Sequence, residues 1–327
     1  MKKRASLLFL SFLICQFANA QSANFFSLWT NEQYATAPSR YAYPQEYLGI
    51  TYNHSLLFNE LLKAPIENIK SKNSLYLNVP VSNQKQIVFE VKKVYVMHPD
   101  LNEVFSEIQT YRGQGINDPS AKLALSISPI GLHIMITSQD GVFYYDPLNN
   151  FDTQNCILYE KKNFNRSTGF NCETDDLLKE VRTFNNTTNN QRTHGTQLRN
   201  YRLALSCTGE YAAFYGGTKA GALAGMVASV NRVNAVYSDE LAVKLTLVPN
   251  DTLLIYTNAS TDPFTNTNGS TMLGENITTC NNIIGSANYD IGHVFSTGGG
   301  VFLVLPIKRV VLQAQVVRWE MLLILIT

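Results

Sequence analysis

Charge is scarce in this sequence. Asp, Glu, Lys and Arg make up 16 % of its 327 residues, well below the ~25 % of an average soluble protein. The two signs nearly cancel, leaving a formal net charge of +1. A chain so balanced presents no broad basic face, so nucleic acid is not an expected partner. Cysteine and histidine are also few, five of each. No two cysteines form a CxxC, which excludes the common structural zinc frameworks. No histidine is followed by glutamate, so HExxH is missing from these residues, as are a GxSxG elbow and a GxxxxGK[ST] phosphate loop. Gly216-Gly217-Thr218-Lys219-Ala220-Gly221 opens a helix but matches neither nucleotide-binding spacing. The motifs therefore assign no catalytic residue and no metal ligand.

What is present is enough to fold. Hydrophobic residues reach 45 % and aromatics 11 %, which excludes wholesale disorder. The length suits about two domains at roughly 150 residues each. Met1-Lys2-Lys3-Arg4, the apolar run Leu7 to Phe17 and Ala18-Asn19-Ala20 read as a secretory signal peptide over 1–20. Its apolar run is too short to stay behind as a membrane span, and Ile14 before Cys15 is a poor lipoprotein box. The expected location is secreted or cell-surface. Export permits disulfides among Cys156, Cys172, Cys207 and Cys280. Cys156 with Cys172 and Cys207 with Cys280 is one of three possible sets, and the sequence does not choose.

From Gln21 to about residue 182 the pattern is β. Residues 74–79, 86–91, 123–127, 131–136 and 141–145 are strand-like runs broken by short turns, which predicts antiparallel meanders. A short helix is expected over Leu101–Gln109. Residues 183–198 are polar and without period, the mark of an exposed linker. Beyond it the layout changes to strand (Arg199–Cys207), amphipathic helix (Ala220–Tyr237), strand (Leu241–Val248), strand (Leu253–Tyr256), helix (Glu275–Ile284) and strand (Tyr289–Phe295). That predicts an α/β unit with a helix-covered sheet. The last strand runs into Ser296-Thr297-Gly298-Gly299-Gly300. An edge strand followed by glycines can pair with an extended peptide; a flexible loop with no partner fits the spacing too. Cys172 reads either as half of a disulfide with Cys156 or as a thiolate able to ligate a metal.

The run Tyr201-Arg202-Leu203-Ala204-Leu205-Ser206-Cys207-Thr208-Gly209-Glu210-Tyr211, Asn231-Arg232-Val233-Asn234 in the long helix, Leu253-Leu254-Ile255-Tyr256 and Asp290-Ile291-Gly292-His293-Val294-Phe295-Ser296-Thr297-Gly298-Gly299-Gly300 resemble a secreted bacterial reprolysin-like zinc metallopeptidase of the metzincin group. The resemblance covers 199–300. It implies a β-rich propeptide-like domain over 21–182, followed by the N-terminal half of a metzincin-type α/β domain. It also implies a protein or peptide substrate lying along His293, Phe295, Ser296, Thr297, Gly298, Gly299 and Gly300, and a zymogen role for the Cys172 thiol. Zinc is the cofactor of the intact family, held by an HExxHxxGxxH helix that should follow the glycines. None is expected on this chain. Without that helix, one face of the sheet is expected to lie uncovered.

Instead of that helix stands a foreign stretch. Residues 301–327 contain no Asn, Asp, Gly, Ser, Tyr, His or Cys. Lys308, Arg309, Arg318 and Glu320 interrupt it short of the ~20 apolar residues of a membrane span. A genuine β-rich ending is a second reading. The third is a frameshift: permitted codons for 301–327, read one nucleotide earlier, allow GVSGIANKARGVTGSSSPVGDAFDIDY, which restores the composition of the preceding region. The frameshift reading is preferred. The functional expectation is a zinc metalloendopeptidase precursor whose present residues are inactive; the alternative is an exported β-rich binding module or a free inhibitory propeptide.

Overall fold

The structure, a computed structural model, describes residues 25–29, 44, 46–71, 73–164 and 197–298, with the backbone of 303 and 304. Nine strands before residue 164 form one antiparallel sheet: β1 (Phe26–Trp29), β2 (Leu48–Tyr52), β3 (Leu75–Pro80), β4 (Gln86–Val94), β5 (Gln109–Gly115), β6 (Lys122–Ser128), β7 (Gly131–Ser138), β8 (Gly141–Pro147) and β9 (Asn155–Glu160). Their order is β1-β2-β9-β8-β7-β6-β5-β4-β3, so β3 to β9 run as the expected meander. Alternation sets the register. Leu75, Leu77 and Val79 on β3 sit opposite Val91, Phe89 and Ile87 on β4, and all six are buried in one cluster. The sheet curls around that cluster until the Tyr145 hydroxyl on β8 donates to the Pro80 carbonyl on β3. Helix α1 (His54–Leu61), capped by Asn53, adds Leu57 and Leu61 to the same core.

After residue 197, β10 (Arg199–Cys207), β11 (Val243–Leu247), β12 (Ile291–Phe295) and β13 (Leu303–Val304) form a second sheet in the order β11-β10-β12-β13. β10 runs parallel to β11 and β12, while β13 is antiparallel to β12. Among the described residues the remaining α-helices are α2 (Pro99–Val104), α3 (Gly209–Phe214), α4 (Lys219–Glu240) and α5 (Gly269–Ile283). A β-rich first part and an α/β second part are thus both present.

Helix α4 lies between the two sheets. On one side it meets β5, β6 and β7, on the other β11. Every residue from Gly221 to Asn234 is buried. The apolar residues expected to form one stripe are therefore covered all round, and the helix is not amphipathic over that span. Strands β6 to β8 are correspondingly buried on both faces: Leu125 and Ile134 point into the curled core, Met135 and Tyr144 toward α4. The four-stranded sheet likewise carries α4 on one face and α5 on the other, so neither face is bare. Leu203, Leu205 and Cys207 join the α4 cluster, and Ala204 joins Cys280, Ile284 and Tyr289 beneath α5.

Three local expectations change. The helix expected over Leu101–Gln109 begins at Pro99, where the His98 ring accepts from the Asp100 amide, and ends at Val104; Gln109 already belongs to β5. The strand expected at Leu253–Tyr256 is replaced by a 3-10 turn, Asp251–Leu254. There the buried Asp251 carboxyl accepts from the Leu205 amide at 2.8 Å and tucks the chain under β10. Helix α5 starts six residues before Glu275 because Asn268 caps it by accepting from the Thr271 amide.

Candidate functional site

Parallel strands leave their C-terminal ends open for ligands, so the ends of β10 and β12 define the candidate site. β10 ends at Cys207 and passes into Thr208, whose amide donates to the Phe295 carbonyl on β12 at 3.0 Å. The Thr208 hydroxyl accepts from the Tyr211 amide, capping α3, and donates to Asn266 Oδ1 at 3.0 Å. Asn266 holds the other strand end too. Its Oδ1 accepts from the Thr297 amide at 3.2 Å and its Nδ2 donates to the Thr297 hydroxyl at 3.3 Å. A Cβ at Gly298 would come within 2.9 Å of the Asn266 carbonyl, so glycine is required there by close approach. Asp262 fixes the same loop, accepting from the amides of Gly209 at 2.7 Å and Phe264 at 2.9 Å. A Cβ on Gly209 would strike the Ala259 amide at 2.1 Å, which shows how tightly the loop lies on the start of α3.

The predicted edge residues divide. His293 and Phe295 are buried on the α4 side, their rings edge to face at 5.2 Å, and Phe295 also meets Tyr211 at 5.4 Å. They are packed side chains. Thr297 and Gly298 lie against Asn266 as just described, Ser296 links them to the strand, and Gly299 and Gly300 lie outside the described residues. The edge is already used at its start: Gly292 and His293 pair with Val304 and Leu303 in the antiparallel sense that an added peptide would take. Among the described residues that pairing covers Gly292 and His293.

The cysteines serve the interior. Cys207 and Cys280 carry free thiols and belong to different clusters on the two faces of the sheet, so the pairing considered for them is not made. Burial pushes the Cys207 thiol up to about 12 and the Cys280 thiol up to about 11. Both are thereby kept protonated and unreactive. Cys156 is buried on β9, and its candidate partner Cys172 lies outside the described residues. Ser206 donates to Asn276 Oδ1 at 2.7 Å and sits 3.7 Å from the Cys280 sulfur; neither neighbour is a base that would activate its hydroxyl. Asp251 is the one strongly perturbed carboxyl beneath this sheet: burial holds its acidity well below that of an ordinary carboxyl, raising its pKa.

A zinc ion would need three or more histidine, cysteine or carboxylate ligands brought together. His54 lies on α1, His98 before α2, His133 on β7 and His293 on β12. Among the described residues no three His, Cys, Asp or Glu side chains come together to hold a metal ion. The described residues therefore do not fit the metal. Sequence reading missed Thr208, Asp262 and Asn266. The signal available was Thr261-Asp262-Pro263-Phe264, a polar turn of the kind that returns a chain over strand ends.

Parallel strands joined by crossover helices, with a polar loop over their ends, define an open α/β unit. Residues 197–301 match metallo-peptidase family M12B, reprolysin-like, which bears out the resemblance over that segment, less than half of the chain. No curated protein matches the chain.

Proposed function

We propose that this chain is the leading portion of a secreted zinc metalloendopeptidase precursor, and that its 327 residues as they stand do not hydrolyse peptide bonds. One observation carries the reading. The match to family M12B stops at residue 301, and that is where Asn, Gly, Ser and Asp vanish from the sequence. A change of reading frame accounts for both. The strand end from Val294 to Gly298, with the glycines that follow it in sequence, is then the place where an intact relative would lay an extended peptide, with residues 21–182 acting as propeptide and Cys172 as its zymogen thiol. Export follows from the leader-like residues 1–20, which lie outside the described residues.

The gene decides the matter. Its sequence across codon 300 and onward is expected to carry HExxH in the neighbouring frame shortly downstream; absence of that motif overturns the frameshift. Chelator-sensitive peptide hydrolysis by the purified 327-residue chain overturns its inactivity. Thiol labelling that finds Cys172 fully oxidised removes its zymogen role. A second reading, a free β-rich binding or inhibitory module, draws on the separate core enclosed by the curled sheet. Inhibition of an intact relative by the added chain would support it.

A further inference from the structure

We infer that the nine-stranded unit is a lasting non-covalent partner of the α/β unit: when the chain is cut between residues 164 and 197, the two pieces stay together. The inference does not rest on the peptidase reading. It rests on how the outer face of β5 to β8 and helix α4 fill each other's needs.

Three attachments act at once. The first is a shared apolar core, with Met135, Tyr144, Ile157 and Tyr159 from the sheet packed in one cluster with Leu223, Met226, Val227 and Val230 of α4. The second is a polar lock in its middle. Asn231 Nδ2 donates to the Leu125 carbonyl and the Ser126 hydroxyl, both at 3.0 Å. Arg232 Nη2 donates to the Ile134 and Tyr145 carbonyls and to Asp146 Oδ1 at 2.8 Å, and the Tyr159 hydroxyl donates to Asp146 Oδ2 at 2.6 Å. The side chains of Arg232 and Asp146 are only 8 % and 6 % exposed. Separation would uncover that core and leave both charges to find water. The third attachment is main-chain: Leu247 exchanges hydrogen bonds with Val96 and His98, so the nine-stranded unit covers the outer edge of β11.

That edge is the far side of the four-stranded sheet from β12. The nine-stranded unit can therefore remain attached without lying on the β12 edge. Its role is to cover the side of α4 that bears Asn231 and Arg232.

The test uses the full chain with a site-specific protease sequence substituted within 183–196. After complete cutting, size-exclusion chromatography with light scattering is expected to find both fragments in one peak at the mass of the uncut protein, with unchanged amide exchange across 221–234. Separation of the fragments, as two peaks or with either one precipitating, overturns the inference. Asn231→Ala in the same cut protein is expected to speed dissociation on dilution by about tenfold, the loss of roughly one good hydrogen bond. An unchanged rate overturns the lock.

Discussion

Helices α4 and α5 lie on opposite faces of one sheet and live by different rules. Helix α5 buries Gly269, Met272, Asn276, Thr279 and Cys280, a single stripe at helical spacing, and leaves its other residues half-buried or exposed. Helix α4 buries fourteen consecutive residues because a second sheet covers its outer side. A helix pressed from both sides must be slim, and α4 supplies Gly221, Ala222, Ala224, Gly225 and Ala228. Its polar residues must find partners on both sides as well. Asn231 and Arg232 reach the nine-stranded sheet, while Asn234 turns the other way, donating to the Leu245 carbonyl at 2.8 Å and accepting from its amide at 2.7 Å. Each face of the sheet also has its own arginine. Arg232 is enclosed, whereas Arg202 clamps Asp290 in a half-exposed bidentate pair.

Breaking the enclosed pair should have the largest effect. Arg232→Ala strands Asp146 in the interior and should cost about 3–5 kcal/mol in urea unfolding. A loss below 1 kcal/mol would place the pair in water and erase the contrast. Next comes the slimness of α4. A Cβ at Gly225 would approach the Tyr215 ring to 2.5 Å, so Gly225→Ala should destabilise by about 1–3 kcal/mol. Gly274 on α5 has open space around it, and Gly274→Ala should instead stabilise by about 0.4–1 kcal/mol. Equal signs in paired thermal melts would show that the helices do not differ in crowding. Arg202→Ala should cost at most about 1 kcal/mol, because water screens both partners.

Asp251, beneath α5, gives a slope rather than a drop. Its carboxyl is protonated more readily in the fold than in the unfolded chain. The stability it lends is therefore fully present below its unfolded pKa of ~3.9 and is lost as pH rises toward the raised folded value. Asp251→Asn keeps an oxygen for the Leu205 amide and removes the titration. Denaturant midpoints compared between acid and neutral pH should fall less in the variant; an unchanged slope would mean that the carboxyl is hydrated.

Much of both layouts was legible because it is local. Alternation marked β3 and β4 in the first sheet, and three- and four-residue spacing marked α4 in the second unit. The Asp251 turn was missed because its apolar run, Leu253–Tyr256, looks like a strand until a distant amide claims the carboxyl before it. The candidate edge was legible as a strand followed by glycines, but not the Asn266 clamp, which joins groups 31 and 58 residues apart. The cysteines show the same limit. Spacing allowed Cys207 and Cys280 to pair, and only the two-sided sheet put them in separate layers.

The sequence by itself determined several of the strands, the long helix, the likeness of 197–301 to family M12B and the compositional break at 301, since each is written in neighbouring residues. Only the tertiary structure decided that α4 is shared between two sheets. Burial on a helix's second side depends on a surface about a hundred residues away along the chain, and no periodicity within α4 records it. The low charge count fits that arrangement: one long element is spent almost wholly on interior contacts, and its few polar groups are placed where a distant backbone can meet them.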